Sequence, residues 1–399
     1  MKPAASRYSI TIYSPDSHLF YDRPRLDQQG VGGGATIRTR MAYALAARGH
    51  RVRLLVNCPK ERTERGVETR NFSALKHDRS DVFIASTSGG QFDLAALGVI
   101  GLENRIKILL VHGIAPPNGL SSYPYDFVYV PSNFVRRKVV TGWGAASNKV
   151  VVSHHGVMEA NYASRTRRSP RRSPFSLLYA GHPSKGLETA IAILRSLRET
   201  DQRFHLHVYG DAGLWGETGQ DPQPEAGITF HGTIGQRQLA REIQGCSFCI
   251  NLQHRQEPFG MVVIEAMRAG CIVLVSPVGA FPEIVTHGQD GFLVPGDPLE
   301  EPTRRAAVSL ILEMVRNPEY AAYLRRNAVQ TPLSWDQVAR TWEGHWEWVL
   351  SAATREATPS SPVFGNCAEC RGAWLPLADG LHCTRCGNYQ RNSSLQDPI

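Results

Sequence analysis

Two glutamates eight residues apart flank the start of an apolar segment in EPFGMVVIEAMRAGC, which begins at Glu257. Pro258 and Gly260 predict that a helix begins near residue 260. The first turn of a helix has unpaired N–H groups and lies at the positive end of the helix dipole. Gly260, Met261 and Val262 would therefore present amides to a phosphate, and the missing side chain of Gly260 would let a ligand approach closely.

The two carboxylates fit the other parts of a sugar nucleotide. Glu265 lies about a turn and a half into the predicted helix, where it could accept two hydrogen bonds from a ribose. Glu257 comes just before the helix and could bond sugar hydroxyls or stabilise positive charge at an anomeric carbon. The spacing alone leaves an alternative open, because exposed glutamates near a helix N-terminus are also favoured by the dipole.

An alternation of strands and helices surrounds this stretch. In the first half, a strand from Tyr8 to Ile12 is followed by a glycine cluster, a helix and a strand from Val52 to Val56. A polar linker rich in arginine and proline comes next, and the rhythm then restarts with SLLYAG. Such alternation implies parallel sheets with helices on both faces. We predict an α/β chain of two doubly wound Rossmann-like domains, at 1–160 and 173–335, with a helix at 336–352 that packs back on the first.

Four of the eight cysteines form two CxxC pairs near the C-terminal end of the chain. Two such knuckles, twelve residues apart, offer the four thiolates of a tetrahedral zinc site, and metal binding would supply most of the folding free energy of so small a module. Paired disulfides are the alternative, but they require an oxidising compartment. We predict a structural Zn²⁺ in a zinc ribbon at 362–392, which would dock a protein partner or brace the chain. Its ligands would be Cys367, Cys370, Cys383 and Cys386. For the further pair Cys246 and Cys249, buried core thiols are expected.

The bulk composition bounds the class of protein. The chain has 399 residues, of which 42% are apolar and 20% charged, as is usual for folded soluble proteins. It contains neither an apolar run long enough to span a membrane nor the apolar core of a signal peptide, so we expect a cytoplasmic protein. The net charge of +8 suits anionic ligands. Five arginines between Arg165 and Arg172 predict a solvated linker or, alternatively, peripheral contact with an anionic membrane.

The stretch from Glu257 to Asp297 resembles the C-terminal signature of the retaining GT-B glycosyltransferases often called GT4. That signature is E-x7-E, a strand, and a G-x-x-PEIV-x-x-G-x-x-G-x-L-V pattern; this chain has EPFGMVVIEAMRAGCIVLVSPVGAFPEIVTHGQDGFLVPGD. GGGATIRTRMAYALAARGHRV is similar to the family's glycine loop and helix, and LLYAGHPSKGLETAIAIL to its first donor-domain strand and basic loop. The resemblance covers most of residues 8–350.

By that resemblance the chain has the GT-B fold and transfers a sugar, with retention, from a nucleotide-diphosphate donor to a hydroxyl acceptor. The acceptor would be a saccharide, a lipid-linked molecule or a small molecule, bound mainly by the first domain, with the donor mainly on the second. The residues implied at the donor are Gly33, Gly34, His182, Lys185, Gly260, Met261, Val262 and Glu265. The residues implied at the reacting sugar and leaving phosphates are Glu257, His112 and Lys185.

One position departs from the family pattern. The family usually has an arginine after the strand glycine and a lysine several residues later, whereas this chain has Gly181-His182-Pro183-Ser184-Lys185. An arginine is always charged and can bind phosphate through two hydrogen bonds, but a histidine is only half protonated near pH 6.5. No spacing rule identifies Arg255 as a replacement for the missing cation.

The mechanism expected from the sequence is metal-independent. The chain contains no DxD pair, and cations and amides can stabilise a leaving diphosphate without a metal. We favour front-face transfer, in which the leaving phosphate deprotonates the acceptor hydroxyl, over double displacement through Glu257. The alternatives are a catalytically silent sugar-nucleotide-binding protein whose ribbon recruits a partner, and a GT-B epimerase or phosphorylase.

Overall fold

The computed structural model describes residues 8–17, 20–87, 94–162, 171–215 and 224–352, and the backbone of three strands within 374–391. The chain divides into two units. The first comprises Met1–Asp22, Ile37–Gly156 and Leu333–Ile399, and the second comprises Arg23–Thr36 and Val157–Pro332.

The strands and helices are numbered in chain order. The strands are β1 (Ser9–Tyr13), β2 (Arg51–Val56), β3 (Arg62–Glu64), β4 (Val67–Asn71), β5 (His77–Asp78), β6 (Val82–Thr87), β7 (Gly101–Leu102), β8 (Ile106–Val111), β9 (Phe127–Val130), β10 (Val150–Val152), β11 (Ser176–Ala180), β12 (His205–Tyr209), β13 (Ile228–Phe230), β14 (Phe248–Asn251), β15 (Ile272–Val275), β16 (Phe292–Leu293), β17 (Trp374–Leu377), β18 (Gly380–Cys383) and β19 (Tyr389–Arg391). The helices are α1 (Arg23–Gln28), α2 (Gly33–Ala47), α3 (Asn133–Gly142), α4 (Leu187–Thr200), α5 (Gln236–Ile243), α6 (Met261–Arg268), α7 (Phe281–Ile284), α8 (Glu301–Arg316), α9 (Pro318–Gln330) and α10 (Trp335–Ala352).

An eight-stranded sheet forms the centre of the first unit. Its strand order is β10-β9-β8-β6-β1-β2-β4-β3, and every neighbouring pair is parallel except β3 with β4. The central strands are nearly continuous apolar runs, such as IKILLV in β8, because helices cover both faces of a parallel sheet. A six-stranded, fully parallel sheet in the order β13-β12-β11-β14-β15-β16 forms the second unit. The prediction of an α/β fold built on largely parallel sheets is therefore confirmed.

The C-terminal helix α10 packs against the sheet of the first unit. The indole of Trp342 donates to Ser153 Oγ at 2.7 Å, and Trp346 is fully buried. Glu343 is also buried and accepts hydrogen bonds from Arg48, while its Oε1 lies 2.7 Å from Nε2 of His50. Buried carboxylates need such partners, so these contacts fix the helix in register on the unit.

The second unit contains a segment from early in the chain. Helix α1 packs against α5, and a Cβ added to Gly235 would lie 2.2 Å from the carbonyl oxygen of Asp27. The loop that follows α1 is equally close to the loop that precedes α5, because a Cβ on Gly30 would lie 2.3 Å from the carbonyl oxygen of Ile234. Within the described residues, none of the helices is long and apolar enough to cross a membrane.

Candidate functional site

The residues of interest follow the carboxyl ends of parallel strands. His112 comes directly after β8, Gly181–Lys185 follows β11, and Glu257 lies in the segment after β14. In open α/β sheets this edge is where ligands bind, because the loops and helix N-termini there face outward together.

Helix α6 begins where the sequence predicted a helix start. Its N-cap is Gly260, with a φ of 100° and no side chain to accept the hydrogen bonds of the first turn. A Cβ at Gly260 would lie 2.6 Å from the ring of Phe281, so the position requires glycine for space as well as for conformation. The amides of Met261 and Val262 lie in the first turn, where no intrahelical acceptor exists. This turn can therefore donate hydrogen bonds to an anion.

Glu257 is held at the start of this turn. It is 9% exposed, and its Oε2 accepts a hydrogen bond of 2.8 Å from Nζ of Lys185. The side-chain nitrogen Nε2 of Gln253 lies 3.5 Å from the same oxygen. Its backbone is equally constrained, because the carbonyl of Glu257 accepts from the N–H of Ala280 at 2.9 Å. The carboxylate of Glu257 and the ammonium group of Lys185 are thus placed side by side.

The loop after β11 is a tight turn stabilised by His182. The Nδ1 atom of His182 accepts a hydrogen bond from the backbone N–H of Ser184 at 3.2 Å and lies 2.9 Å from its Oγ. Nδ1 is therefore engaged in capping the short helix that ends at Lys185. Arg255, which is exposed, donates to the same Ser184 hydroxyl at 3.0 Å. The structure thus brings Arg255 to the loop in which histidine replaces the expected arginine.

Glu265 lies on α6 beside the first turn of α5. It is 8% exposed, and its Oε1 accepts a hydrogen bond of 2.9 Å from the side-chain amide of Gln236. The glycine loop approaches the same end of α6, since a Cβ on Gly33 would lie 3.8 Å from Cγ of Met261. Gly33 and Gly34 also form the first turn of α2. The second unit therefore collects two helix N-termini, a carboxylate–ammonium pair and a second carboxylate.

His112 belongs to the first unit. Its Nε2 lies 2.9 Å from Ser86 Oγ, and its ring centroid is 5.6 Å from that of His155. Burial lowers the pKa of His112 well below the usual 6.5, and the charge of Arg38 lowers it further. A histidine in this state is a neutral hydrogen-bonding group at physiological pH.

The cysteines singled out in the sequence fall into two groups. Cys367, Cys370 and Cys386 lie outside the described residues, and Cys383 is described only as the last backbone position of β18. Cys246 and Cys249 are buried, and burial raises the pKa of the Cys246 thiol to about 12, which agrees with core thiols.

The arginine-rich segment is described only at its end. Residues 165–170 lie outside the described residues. Arg172 donates hydrogen bonds to the carbonyls of Cys246, Ala269 and Gly270. It therefore caps the C-terminal end of α6, where a cation is favoured by the helix dipole.

Several side chains in these contacts were not identified from the sequence. Ser86 and Arg38 lie beside His112, while Gln236 and Gln253 contact the two glutamates. No motif marks Arg38, Ser86 and Gln236, because each meets its partner across 26 or more residues of sequence, whereas Gln253 lies four residues before Glu257.

Comparisons with known proteins are consistent with this geometry. Residues 174–311 match the family model "Glycosyl transferases group 1". The chain is 28% identical over 202 residues to a glycogen synthase of Mycobacterium tuberculosis, a match that covers 49% of this chain and 48% of the relative. It is 30% identical over 225 residues to a D-inositol 3-phosphate glycosyltransferase of Streptomyces avermitilis, covering 51% and 47%. The chain thus spans about half the length of the curated relatives it matches.

A solved structure shows the same fold. The chain superposes on Anabaena HepE in complex with UDP-glucose with a TM-score of 0.58 at 15% identity, covering 87% of this chain and 100% of that one. The α/β fold of GT-B glycosyltransferases is therefore confirmed for the body of the chain.

Proposed function

We propose that this chain is a retaining, metal-independent glycosyltransferase that moves a sugar from a nucleotide-diphosphate donor to a hydroxyl acceptor. The observation that carries the proposal is the Glu257–Lys185 pair, held at 2.8 Å beside the glycine-capped start of α6. This arrangement lies in the segment that matches a glycosyltransferase family model, and a protein of the same fold has been solved with UDP-glucose.

The donor phosphates would bind at the first turn of α6. Amides of Met261 and Val262 and the loop at Gly33 and Gly34 would donate hydrogen bonds to them, and Lys185 would stabilise the charge of the leaving diphosphate. We assign Arg255 to the same phosphates, because its guanidinium reaches the loop of Lys185 through Ser184. An arginine there offers the planar set of donors that His182 lacks.

The two carboxylates would bind the sugars at either end of the donor. Glu265, oriented by Gln236, would accept hydrogen bonds from the ribose hydroxyls. Glu257 would bond the hydroxyls of the transferred sugar, and its charge would stabilise the cationic anomeric carbon of the transition state. We favour front-face transfer, since Lys185 and Gln253 already hold Glu257 in the role of an electrostatic partner. The leaving phosphate would then remove the proton of the acceptor hydroxyl.

The first unit would bind the acceptor, which would be a saccharide, a lipid-linked molecule or a small molecule. Peripheral contact with an anionic membrane through Arg165–Arg172 remains a proposal for the arginines before Arg172, since Arg172 is engaged with carbonyl groups of its own unit. Vesicle flotation with and without anionic lipid would test it.

The C-terminal cysteines are proposed to bind a structural Zn²⁺. In support, β18 pairs with β17 so that Trp374 lies opposite Cys383, and Cys370 precedes Trp374 by only four residues of sequence. We expect one zinc per chain, released by a thiol-reactive reagent, and lost in Cys383→Ser. Protein purified under reducing conditions without zinc would contradict the site. A pull-down with the zinc-loaded chain would test the ribbon's proposed protein partner.

The glycosyltransferase proposal is tested by a thermal-shift screen of nucleoside diphosphates and their sugars, followed by measurement of nucleoside diphosphate release. Glu257→Gln should lower turnover by roughly 10²-fold while nucleoside diphosphate binding is retained. Glu265→Gln should weaken that binding by about tenfold, because a charged hydrogen-bond acceptor is lost. Glu319→Gln, an exposed change in the same unit, is the matched control for charge. Binding without turnover across a range of acceptors would indicate a silent sugar-nucleotide-binding protein instead.

A further inference from the structure

A series of polar side chains inside the first unit leads to His112. Arg38, on α2, is 1% exposed. Its Nε donates to Tyr21 Oη at 2.9 Å, its Nη1 donates to Ser86 Oγ at 3.3 Å, and its Nη2 forms an ion pair with Asp16. The Ser86 hydroxyl continues the series, because its oxygen lies 2.9 Å from Nε2 of His112. The proposed reaction assigns no role to Arg38, Ser86 or Tyr21.

The direction of each hydrogen bond follows from the chemistry of Arg38. A guanidinium can only donate, so Ser86 Oγ accepts from it and keeps its own proton to donate. Among the described residues, the other partner of that hydroxyl is Nε2 of His112. Nε2 must then accept, and it carries no proton. A neutral imidazole has one N–H, which therefore lies on Nδ1.

The charges around His112 favour the same arrangement. Arg38 faces the ring from α2, and His155 faces it from the loop after β10, while Asp16 and Tyr21 contact Arg38. A nearby cation disfavours the imidazolium, and burial lowers the pKa of His112 in the same direction. A neutral ring is also more stable with its lone pair, rather than its proton, directed toward a cation.

The Nδ1 atom has no partner within the described part of the chain. It is shielded from solvent, and no protein acceptor lies within hydrogen-bonding distance of it there. A shielded donor without an acceptor is costly, and such groups in a native structure are often completed by a ligand or a water. The network therefore prepares a donor for which the described part of the unit supplies no acceptor.

We propose that Arg38 and Ser86 are positioning residues that hold His112 neutral, with its proton on Nδ1, as a hydrogen-bond donor to an oxygen atom of the ligand. The identity of that oxygen, a hydroxyl of the transferred sugar, rests on the proposed function and on the place beside the reacting sugar that the family resemblance implies for His112. His112 then binds the sugar by donating a hydrogen bond, and it does not act as a base through Nε2, which is occupied by Ser86.

The position of the proton can be measured directly in the full-length chain without ligand. In protein labelled with ¹⁵N-histidine, long-range ¹H–¹⁵N correlation spectra near neutral pH distinguish protonated from unprotonated ring nitrogens. His112→Gln identifies the signals of His112 by their loss. We expect Nδ1 in the protonated range and Nε2 in the unprotonated range. The reverse assignment, or a doubly protonated ring, would overturn the proposal.

Substitutions at Ser86 test what causes this state. Ser86→Ala removes the hydroxyl that donates to Nε2, so the two neutral forms of His112 should mix and both nitrogen shifts should move. Ser86→Thr retains a hydroxyl and should restore the wild-type shifts. Ser73→Ala, at an exposed position of the same unit, is the matched control. Unchanged shifts in Ser86→Ala would contradict the role of Ser86.

A kinetic measurement connects the network to the sugar. Ser86→Ala should raise KM for the donor sugar nucleotide about tenfold, while the affinity for the nucleoside diphosphate, which lacks the transferred sugar, stays unchanged. An equal loss for both ligands would contradict the assignment to the sugar. Should the chain turn over no sugar nucleotide, the proposed function fails, but the spectra still decide the protonation state of His112.

Discussion

The two units hold their candidate residues in different ways. In the first unit Arg38 and His112 are fixed by a side-chain network inside the unit, with Asp16 as counter-ion. In the second, backbone amides and side chains that reach solvent, such as Lys185 and Arg255, surround the start of α6. A buried charge makes its partner indispensable to the fold, whereas an exposed pair contributes little. Removal of Arg38 should therefore strongly destabilise the first unit, whereas removal of Arg255 should change only ligand binding in the second.

The largest effect is expected for Arg38→Met. The change leaves Asp16 without its guanidinium partner, which should cost about 3–5 kcal/mol of the free energy of unfolding. Urea unfolding followed by tryptophan fluorescence measures this, because five of the seven tryptophans lie in the described part of the first unit, namely Trp143, Trp335, Trp342, Trp346 and Trp348.

Two controls define that result. Arg79→Met removes an exposed ion pair with Glu103 from the same unit and should cost less than about 1 kcal/mol. Adding Asp16→Asn to Arg38→Met should recover part of the loss, since no unpaired carboxylate remains. An equal cost for Arg38→Met and Arg79→Met would show that burial of the Arg38–Asp16 pair adds nothing to its effect, and the contrast between the units would lose its basis.

Acid should destabilise the first unit through His155. Burial lowers the pKa of His155 to about 3, with a smaller contribution from His154, whereas an unfolded histidine titrates near 6.5. Below pH 6.5 the unfolded chain binds a proton that the folded state does not, so stability falls as the pH falls toward 3. His155 is expected to contribute at most about 1.4 kcal/mol per pH unit to the slope of the unfolding free energy against pH.

His155→Gln tests this origin of acid sensitivity. The variant lacks the titrating group, so its unfolding free energy should depend less steeply on pH between 6.5 and 3 than that of the wild type. Above pH 7 the two proteins should show the same dependence, because an unperturbed histidine is neutral there in both states. Parallel curves at all pH values would contradict the assignment.

A smaller loss of stability is expected when the backbone at the start of α6 is altered. Gly260→Ala would force a Cβ within 2.6 Å of the Phe281 ring at a φ of 100°, at a cost of roughly 1–3 kcal/mol. Gly49→Ala is the matched control, since it has a similar φ of 92° with nothing within 4 Å. Hydrogen exchange of the amides in β14 and β15 reports the cost of Gly260→Ala, exchange in β1 and β2 reports that of Gly49→Ala, and nucleoside diphosphate affinity should fall in Gly260→Ala. Equal costs for both variants would show that Phe281 yields easily.

The sequence predicted those parts of the site that depend on local signals. Pro258 and Gly260 predicted the start of α6. That start places Glu257 just before the helix and Glu265 within it. Their partners could not be predicted, because Lys185 is 72 residues from Glu257. Gln236 is likewise 29 residues from Glu265. Such contacts arise only when the strands of the sheet bring their loops together.

Two further features of the structure, the packing of Arg23–Thr36 and the orientation of the His182 ring, could not be predicted from the sequence. No local signal shows that Arg23–Thr36 packs with the second unit, because α1 meets α5 only through tertiary contacts. His182 was predicted from the family pattern at a phosphate-binding position. Its cap on Ser184 depends on ring orientation, which a sequence does not contain. Its role at the donor therefore stays a prediction.

The smallest effect on stability, and the clearest contrast with Arg38, is expected for Arg255→Met. Arg255 is exposed and donates to the Ser184 hydroxyl, so its loss should change the free energy of unfolding by no more than about 0.5 kcal/mol. Nucleoside diphosphate affinity should fall about tenfold while nucleoside affinity stays constant, because the lost hydrogen bonds go to phosphate. Arg237→Met, an exposed change on α5 with the same net charge, should leave both affinities unaltered. If Arg255→Met binds the diphosphate as well as Arg237→Met does, Arg255 does not replace the arginine missing at position 182. If it instead unfolds the second unit, charges in both units are structural, and the contrast between them is wrong.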